Sequence, residues 1–281
     1  DLYGCTVNAT VSSYKDGFAG RYIGGQFDGI DPKYVAMSNN VYFTSLKEAI
    51  KAAAYSGYAI YILKDCTFES VEIDINYKTL IINGYEGLKP KITFSPNCLQ
   101  SYNGSFLYFR NVELEFENTP NYYETGLSVF SATMCNIYGQ YYDCAESITF
   151  DNCVFYQQST ISYNACIYKA NVSFRNCEFY CNGRCVLIKN NGETKDNPAK
   201  IEFSGCEFYS NVSDPTCAAI NISTLDGASF DVLINGCYAS GFDDQTSIGG
   251  VAVIPGLVHL NESGDGILTV KLNGLPIYPA I

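Results

Sequence analysis

The sequence lacks the residues from which several common kinds of functional site are built. It contains no tryptophan, and its only histidine is His259. None of the 13 cysteines forms a CxxC pair, which argues against a structural zinc site. No run approaches the roughly 18 apolar residues that a membrane-spanning helix needs. A net charge of −12 argues against nucleic acid as a partner. We therefore expect no metal, no cofactor, no nucleic-acid partner and no membrane span.

Aromatic and small apolar residues dominate what is present. The chain has 24 Tyr and 17 Phe, with only 16% charged residues, which favours buried β-strands over helices. It starts at Asp1, without a methionine and without a signal sequence. We expect a processed mature protein that is secreted or held at the cell surface.

Four segments repeat one pattern, in which two short apolar alternations flank a two-residue break. The copies are Ile148–Tyr156, Val172–Tyr180, Ile201–Tyr209 and the weaker Val232–Tyr238. Their cysteines recur after 24, 29 and 31 residues. Self-similarity at such a period is typical of a protein built from stacked structural repeats.

Each copy predicts a strand, a sharp bend and a second strand. The second residue of the break is always Asn or Gly, which accept a left-handed backbone at little cost. One unit cannot bury its own apolar side, whereas copies stacked about 4.8 Å apart can. Leu80–Tyr85, Leu107–Val112 and Thr269–Leu275 fit the same pattern and bring the number of predicted corners to seven. The repeat therefore predicts a parallel β-helix.

One segment has the pattern of a helix. Ser45 and Glu48 have the spacing of a capping box, and Ser56-Gly57 is a typical helix end. One face of the segment is apolar: Leu46, Ala49, Ile50, Ala53 and Ala54. We predict an α-helix over about residues 45–55 that covers the open N-terminal end of the core.

The chain divides into an N-terminal segment, 1–41, and a β-helix, 42–281. The first segment is rich in Gly and aromatic residues and is interpreted either as an arm that reaches a neighbouring molecule or as a cap packed on its own chain. The offset of 41 positions from Val112 to Cys153 predicts an insertion at about 116–146. The offset of 38 positions from Cys237 to Leu275 indicates a second insertion or one irregular coil.

Phe43–Ala53, Ile60–Asp65 and Thr79–Gly84 together resemble the first turns of the right-handed parallel β-helix proteins, the pectate-lyase-like superfamily with its non-catalytic surface members. The resemblance covers roughly residues 42–275. It implies an all-β fold, a single right-handed parallel β-helix solenoid with an N-terminal capping α-helix. It implies little about function, because this fold carries lyases, hydrolases, adhesins, tailspikes and structural fibres.

The resemblance also indicates what a catalytic site would contain. Enzymes of this superfamily cleave acidic polysaccharides, either with calcium-binding carboxylates and a basic residue or with clustered Asp beside Gly-His-Gly and Arg-x-Lys. Neither triplet occurs here. Asp243 and Asp244 are the nearest approach to a catalytic pair, and a polar turn is the better interpretation. We therefore expect no catalytic residues.

The cysteines form two predicted columns. Cys153, Cys177, Cys206 and Cys237 share one repeat position, and a second column is Cys166, Cys185 and Cys217. Neighbours about 4.8 Å apart would suit either disulfides or packed thiols. Cys135 and Cys144, within the predicted insertion, are the strongest candidates for a disulfide.

Six sequons and the high cysteine content favour an oxidising, extracellular setting. The candidate glycosylation sites are Asn8, Asn103, Asn171, Asn211, Asn221 and Asn261. We expect a non-catalytic extracellular structural glycoprotein, a coat or fibre subunit that associates with copies of itself through its β-helix ends. The alternatives are a β-helix that binds or cleaves polysaccharide, and an adhesin or tail-type receptor binder. A groove of outward aromatics and carboxylates along one sheet would favour the first alternative.

Overall fold

The computed structural model is an all-β protein with three long sheets. It describes residues 2–3, 21–23, 29–30, 33–71, 77–85, 87–116, 126–189, 197–211, 218–224, 229–243, 251–261 and 267–278. Asn8, Cys217 and Asp244 therefore lie outside the described residues, as does most of the segment 1–41. No described helix is long and apolar enough to cross a membrane.

The first sheet has 12 strands and extends from one end of the stack to the other. In spatial order its strands are β5 (Val41–Phe43), β4 (Ala36–Ser38), β6 (Ile60–Ile62), β8 (Thr79–Gly84), β10 (Phe106–Arg110), β12 (Leu127–Thr133), β15 (Ala145–Asp151), β18 (Asn171–Arg175), β21 (Ala199–Ser204), β24 (Phe230–Asn235), β28 (Leu268–Leu272) and β29 (Leu275–Tyr278). From β6 to β28 all neighbours are parallel.

The second and third sheets are shorter, with eight and six strands. The second contains β7 (Cys66–Phe68), β9 (Lys91–Phe94), β11 (Glu113–Glu115), β13 (Asn136–Tyr138), β16 (Val154–Tyr156), β19 (Glu178–Cys181), β22 (Glu207–Ser210) and β25 (Tyr238–Ser240). The third contains β14 (Tyr141–Tyr142), β17 (Ala165–Ile167), β20 (Val186–Lys189), β23 (Ile220–Ser223), β27 (Val258–Asn261) and β26 (Val251–Ile254).

The chain visits the three sheets in turn. β15, β16 and β17 are followed by β18, β19 and β20, and each strand pairs in parallel with the strand one turn later. The repeat thus places equivalent residues side by side, as the sequence predicts. This arrangement is compatible with a β-helix.

The corners between the first and second sheets confirm most of the predicted bends. A left-handed residue occupies this position at Asn111, Asn152, Asn176, Gly205 and Gly236. Three positions differ. The structure adds Met134 with φ 56°, whereas Gly84 is not left-handed. Asn273 and Gly274 are left-handed but turn the chain back into the antiparallel hairpin β28–β29.

The predicted insertion at 116–146 is wrong for the residues that the structure describes there. Residues 127–142 hold three strands, β12, β13 and β14, and β12 pairs in register with β15. The regular turn is hidden in the sequence because its corner residue is Met134 instead of Asn or Gly. In the later gap, β26 and β27 form an antiparallel hairpin within the third sheet.

Stacked aromatic rings fill the interior. Phe150, Phe174 and Phe203 are fully buried, and their ring centroids lie 5.3 and 5.0 Å apart along the stack. A second stack consists of Phe155, Phe179 and Phe208. One continuous apolar cluster extends from Ala36 to Val270. Burial of this cluster is the main stabilising contribution to the fold.

The predicted helix is confirmed as α1 (Leu46–Ser56). The Ser45 hydroxyl accepts a hydrogen bond from the Glu48 N–H at 3.3 Å, and Gly57 ends the helix in a left-handed conformation with φ 72°. The five predicted apolar residues are all buried. α1 packs beside β4, β5, β6, β7 and β8 at the N-terminal side of the stack.

Strands before residue 42 already belong to the first sheet, because Ala36–Ser38 pairs with both Val41–Phe43 and Ile60–Ile62. The boundary predicted after residue 41 therefore cuts through a hairpin. Earlier in the chain, β1 (Leu2–Tyr3), β2 (Arg21–Ile23) and β3 (Gly29–Ile30) form a three-stranded sheet of their own.

Candidate functional site

A column of five cysteines lines the corner between the first and second sheets. The predicted members Cys153, Cys177, Cys206 and Cys237 stack as expected, and Cys135 extends the column by one turn. Each thiol lies 3.3–3.6 Å from one or two backbone carbonyl oxygens. All five are free thiols. The column is therefore packing with weak sulfur hydrogen bonds.

The second predicted column is wrong. Cys166 pairs with Leu187, and the Cys185 carbonyl accepts the Asn164 N–H, so the two cysteines are out of register. Cys185 belongs to the core, whereas Cys166 packs in a small outer cluster with Tyr142 and Tyr163. The sequence alone does not show this offset, because the loops that precede the third-sheet strands differ in length.

The predicted disulfide between Cys135 and Cys144 is not formed. Cys135 lies in the column beside Cys153, whereas the Cys144 sulfur lies 3.4 Å from the Tyr141 hydroxyl. Both cysteines are free. Burial raises the pKa of Cys144 to about 12, so this thiol stays protonated at neutral pH.

The asparagines of the sequons differ widely in solvent exposure. Asn103, Asn171 and Asn211 are exposed, and Asn261 is half-buried. Asn221 is 1% exposed, and its amide nitrogen donates to the carbonyls of Val186 and Ala218 at 3.3 and 2.7 Å. A glycan on Asn221 is incompatible with this packing, so that prediction is wrong for the folded protein.

Asp243 is half-buried after β25, in Gly241-Phe242-Asp243, and its predicted partner Asp244 lies outside the described residues. His259 lies on β27 with 2% exposure. Across the residues that the structure describes, no group of three or more His, Cys, Asp or Glu side chains could hold a metal ion.

Tyrosines form a ladder along the outer face of the second sheet. The rings of Tyr138, Tyr156, Tyr180 and Tyr209 stack with centroids 5.0, 5.7 and 5.2 Å apart and planes within 15° of parallel. Tyr238 ends the ladder edge-on and is 56% exposed. The signal was present in the sequence, because Tyr156, Tyr180 and Tyr209 close three copies of the repeat.

Glutamates beside the ladder hold its hydroxyl groups. The donor–acceptor pairs are Tyr138–Glu113 at 3.4 Å, Tyr180–Glu178 at 2.7 Å, and Tyr209–Glu207. The bond to Glu178 raises the pKa of Tyr180 to about 12. Ring faces that point along the ladder are covered by the neighbouring rings. Three of the tyrosine hydroxyl groups donate hydrogen bonds to carboxylates. The ladder therefore stabilises the sheet, and does not present flat rings on which a sugar could stack.

A polar groove lies on the outer face of the first sheet, across β15, β18, β21 and β24. Its volume is about 430 Å³. Ser147, Thr149 and Ser173 are among the small residues that line it, and longer charged side chains surround them. Arg175 donates to the Ser173 hydroxyl at 3.1 Å and lies 3.7 Å from Glu202. The sequence does not reveal this groove, because its residues come from four separate turns.

Several outward residues of the third sheet are buried, although Leu187 in the same row is half-buried. Tyr142, Cys166, Asn221 and His259 point away from the core, yet each is at most 6% exposed. Next to this face, the buried carboxylate of Asp143 accepts the backbone N–H groups of residues 168, 169 and 170 at 3.1, 2.7 and 3.0 Å. Burial raises the pKa of Asp143, and these hydrogen bonds offset part of that shift.

No family model, curated protein or solved structure matches the chain significantly. The three outer faces and the two ends of the stack are therefore the features that bear on function.

Proposed function

We propose that the chain is a single right-handed parallel β-helix with α1 as its N-terminal cap, and that it is a non-catalytic extracellular structural protein which assembles with copies of itself. The regular interior supports the first part. Stacked rings and in-register strands let the chain lengthen turn by turn without a second core.

The main support for self-assembly comes from the pairing of the outermost strands of the sheets. Antiparallel hairpin strands form both ends of the first sheet, with β5 at one and β29 at the other. The second sheet differs. Among the described strands, its outermost members β7 and β25 run parallel to their single neighbours and are not hairpin strands, and α1 packs beside β7. An open edge of this kind is a template for a further strand.

Joining β25 of one copy to β7 of the next would continue the second sheet. Such a head-to-tail contact uses two different surfaces, so it produces an open fibre instead of a closed pair. Exposed apolar side chains on or beside the last strands of the first and second sheets favour the contact, because Tyr238, Ile267 and Leu275 are 56, 56 and 71% exposed. Pro276 on β29 removes a backbone donor from the first-sheet edge, which leaves β25 as the strand suited to pairing.

The decisive variant is Ala239→Pro. Tyr238 donates its N–H to the carbonyl of Cys206, the residue before β22, and alternate residues of a strand face opposite neighbours. The Ala239 N–H therefore faces the open side, and proline removes it without breaking the bond to Cys206. Ala239→Ser is the matched control, because it keeps the N–H.

Light scattering after size exclusion, with negative-stain electron microscopy, measures the outcome. We expect wild type and Ala239→Ser to form oligomers or fibres, and Ala239→Pro to be a folded monomer by circular dichroism. A wild-type protein that stays monomeric at high concentration contradicts the proposal. Equal assembly of Ala239→Pro shows that β25 is not the contact.

A further inference from the structure

Asn171 is the sequon whose two polar residues line a formed groove. Asn171 and Ser173 are two residues apart on β18, so both side chains project from the outer face of the first sheet. Asn171 is exposed, in contrast to the buried Asn221 on the third sheet. The Lys200 N–H donates to the Asn171 amide oxygen at 2.9 Å. This bond fixes the carboxamide and leaves its nitrogen, the atom that carries an N-linked sugar.

The groove beside Asn171 has the size and chemistry to hold sugars. Its volume of about 430 Å³ lies within the range of small-molecule sites. Its two cationic residues, Arg175 and Lys200, are matched by the two anionic residues Glu202 and Asp231. A site with no net charge and many donors and acceptors suits a neutral polyhydroxyl compound better than an ion.

The polar groups of the groove are already held in place. The Ser173 hydroxyl donates to Glu202 at 3.2 Å and accepts from the Arg175 side chain at 3.1 Å. The Arg175–Glu202 ion pair at 3.7 Å is half-exposed and leaves other lone pairs and N–H groups open to solvent. Binding a sugar here would require little reordering of side chains, which is one of the costs of forming polar contacts.

We propose that Asn171 carries an N-linked glycan and that its first sugars lie in this groove. The inference rests on the extracellular location in the proposed function. In the transfer, the Asn171 amide nitrogen forms a bond to the anomeric carbon of a phosphate-activated sugar donor. The bond from that carbon to the phosphate oxygen breaks, the phosphate leaves with the electron pair, and a base of the transferase takes the amide proton.

Peptide mass spectrometry of the native protein tests the modification. We expect a sugar mass on the peptide that contains Asn171, lost in Ser173→Ala and retained in Ser173→Thr, since a sequon accepts either hydroxyl residue. Asn103→Gln is the control, because it removes another exposed sequon and should leave the Asn171 peptide unchanged. An unmodified Asn171 overturns the inference, whether or not other sequons carry sugar.

Release by a peptide N-glycosidase tests the position of the glycan. A glycan held in the groove should be released at least about tenfold more slowly from the folded protein than from the denatured one, which is the ratio expected from one or two hydrogen bonds. The double change Glu202→Gln and Asp231→Asn should remove most of this difference. If the glycan is released at equal rates from folded wild type and from the folded double variant, its sugars lie outside the groove. Self-assembly is measured in a separate experiment, so the glycan result can be interpreted even if no fibre forms.

Discussion

The outer faces of the second and third sheets come from the same repeating turns, yet their residues differ in exposure to solvent. On the second sheet, Tyr156 and Tyr180 face solvent and stack on equivalents one turn away. On the third, Cys166, Asn221 and His259 occupy equivalent outward positions, differ in chemistry from turn to turn and are almost fully buried. A solvated face tolerates simple repetition, whereas on a covered face a polar group that loses its partner cannot turn to water instead.

This difference predicts where substitutions are most damaging. Polar groups under the cover have no water to replace a lost partner, so each loss costs the full desolvation penalty. Groups on the ladder regain water when a partner is removed. We therefore expect larger losses of stability on the third face than on the second.

The largest effect is expected for Asp143→Ala. This change leaves three backbone N–H groups without their acceptor, and two of them belong to Lys169 and Ala170 at 2.7 and 3.0 Å. We expect a loss of about 3–5 kcal/mol in the free energy of unfolding, measured by urea denaturation. Asp143→Asn is the control, because its amide oxygen can accept the same bonds. A loss below about 1 kcal/mol for Asp143→Ala would show that water reaches these groups.

The same carboxylate should make stability depend on pH. Burial raises the folded-state pKa of Asp143 above the value of about 3.9 in an unfolded chain. The folded state therefore binds more protons between these two values, and the free energy of unfolding falls as pH rises through that window. Asp143→Asn should lack this dependence, so wild type should gain stability relative to Asp143→Asn as pH is lowered from 7 toward 4. A constant difference would contradict the raised pKa.

On the ladder, Tyr180→Ala should cost less. It removes two ring stacks, at 5.7 and 5.2 Å, and the bond to Glu178. We expect a loss of about 1–2 kcal/mol, and about half of that for Tyr180→Phe, which keeps the stacks. Thermal unfolding of both variants measures this. If Tyr180→Ala is as damaging as Asp143→Ala, the proposed contrast between the two faces does not hold.

The contrast also explains which features the sequence predicts. The cysteine column, the corners and α1 depend on residues close in the chain or at a fixed repeat position, and these predictions were largely confirmed. The Cys166–Cys185 column was wrong because loops of unequal length shift the third-sheet register. The burial of Asn221 was missed for a related reason, since the outward residues of the third sheet differ in type from turn to turn and have no repeat signal. The groove could not be predicted from the sequence, because it forms only when residues from four turns lie side by side.

The smallest effect, and a stabilising one, is expected at Met134. This residue has φ 56° at a corner where the adjacent turns carry Asn111 and Asn152 with φ 53° and 52°. A left-handed conformation costs an ordinary residue about 1 kcal/mol more than glycine or asparagine. The Met134 side chain is 47% exposed, so little packing is lost when it is replaced. Met134→Gly and Met134→Asn should therefore each raise the free energy of unfolding by about 0.5–1 kcal/mol.

The matched test is Asn152→Met, which introduces the same strain one turn later and should destabilise by a similar amount. If both substitutions at Met134 destabilise the protein, local contacts of the methionine outweigh backbone strain, and the corner is less uniform than its dihedral angles indicate.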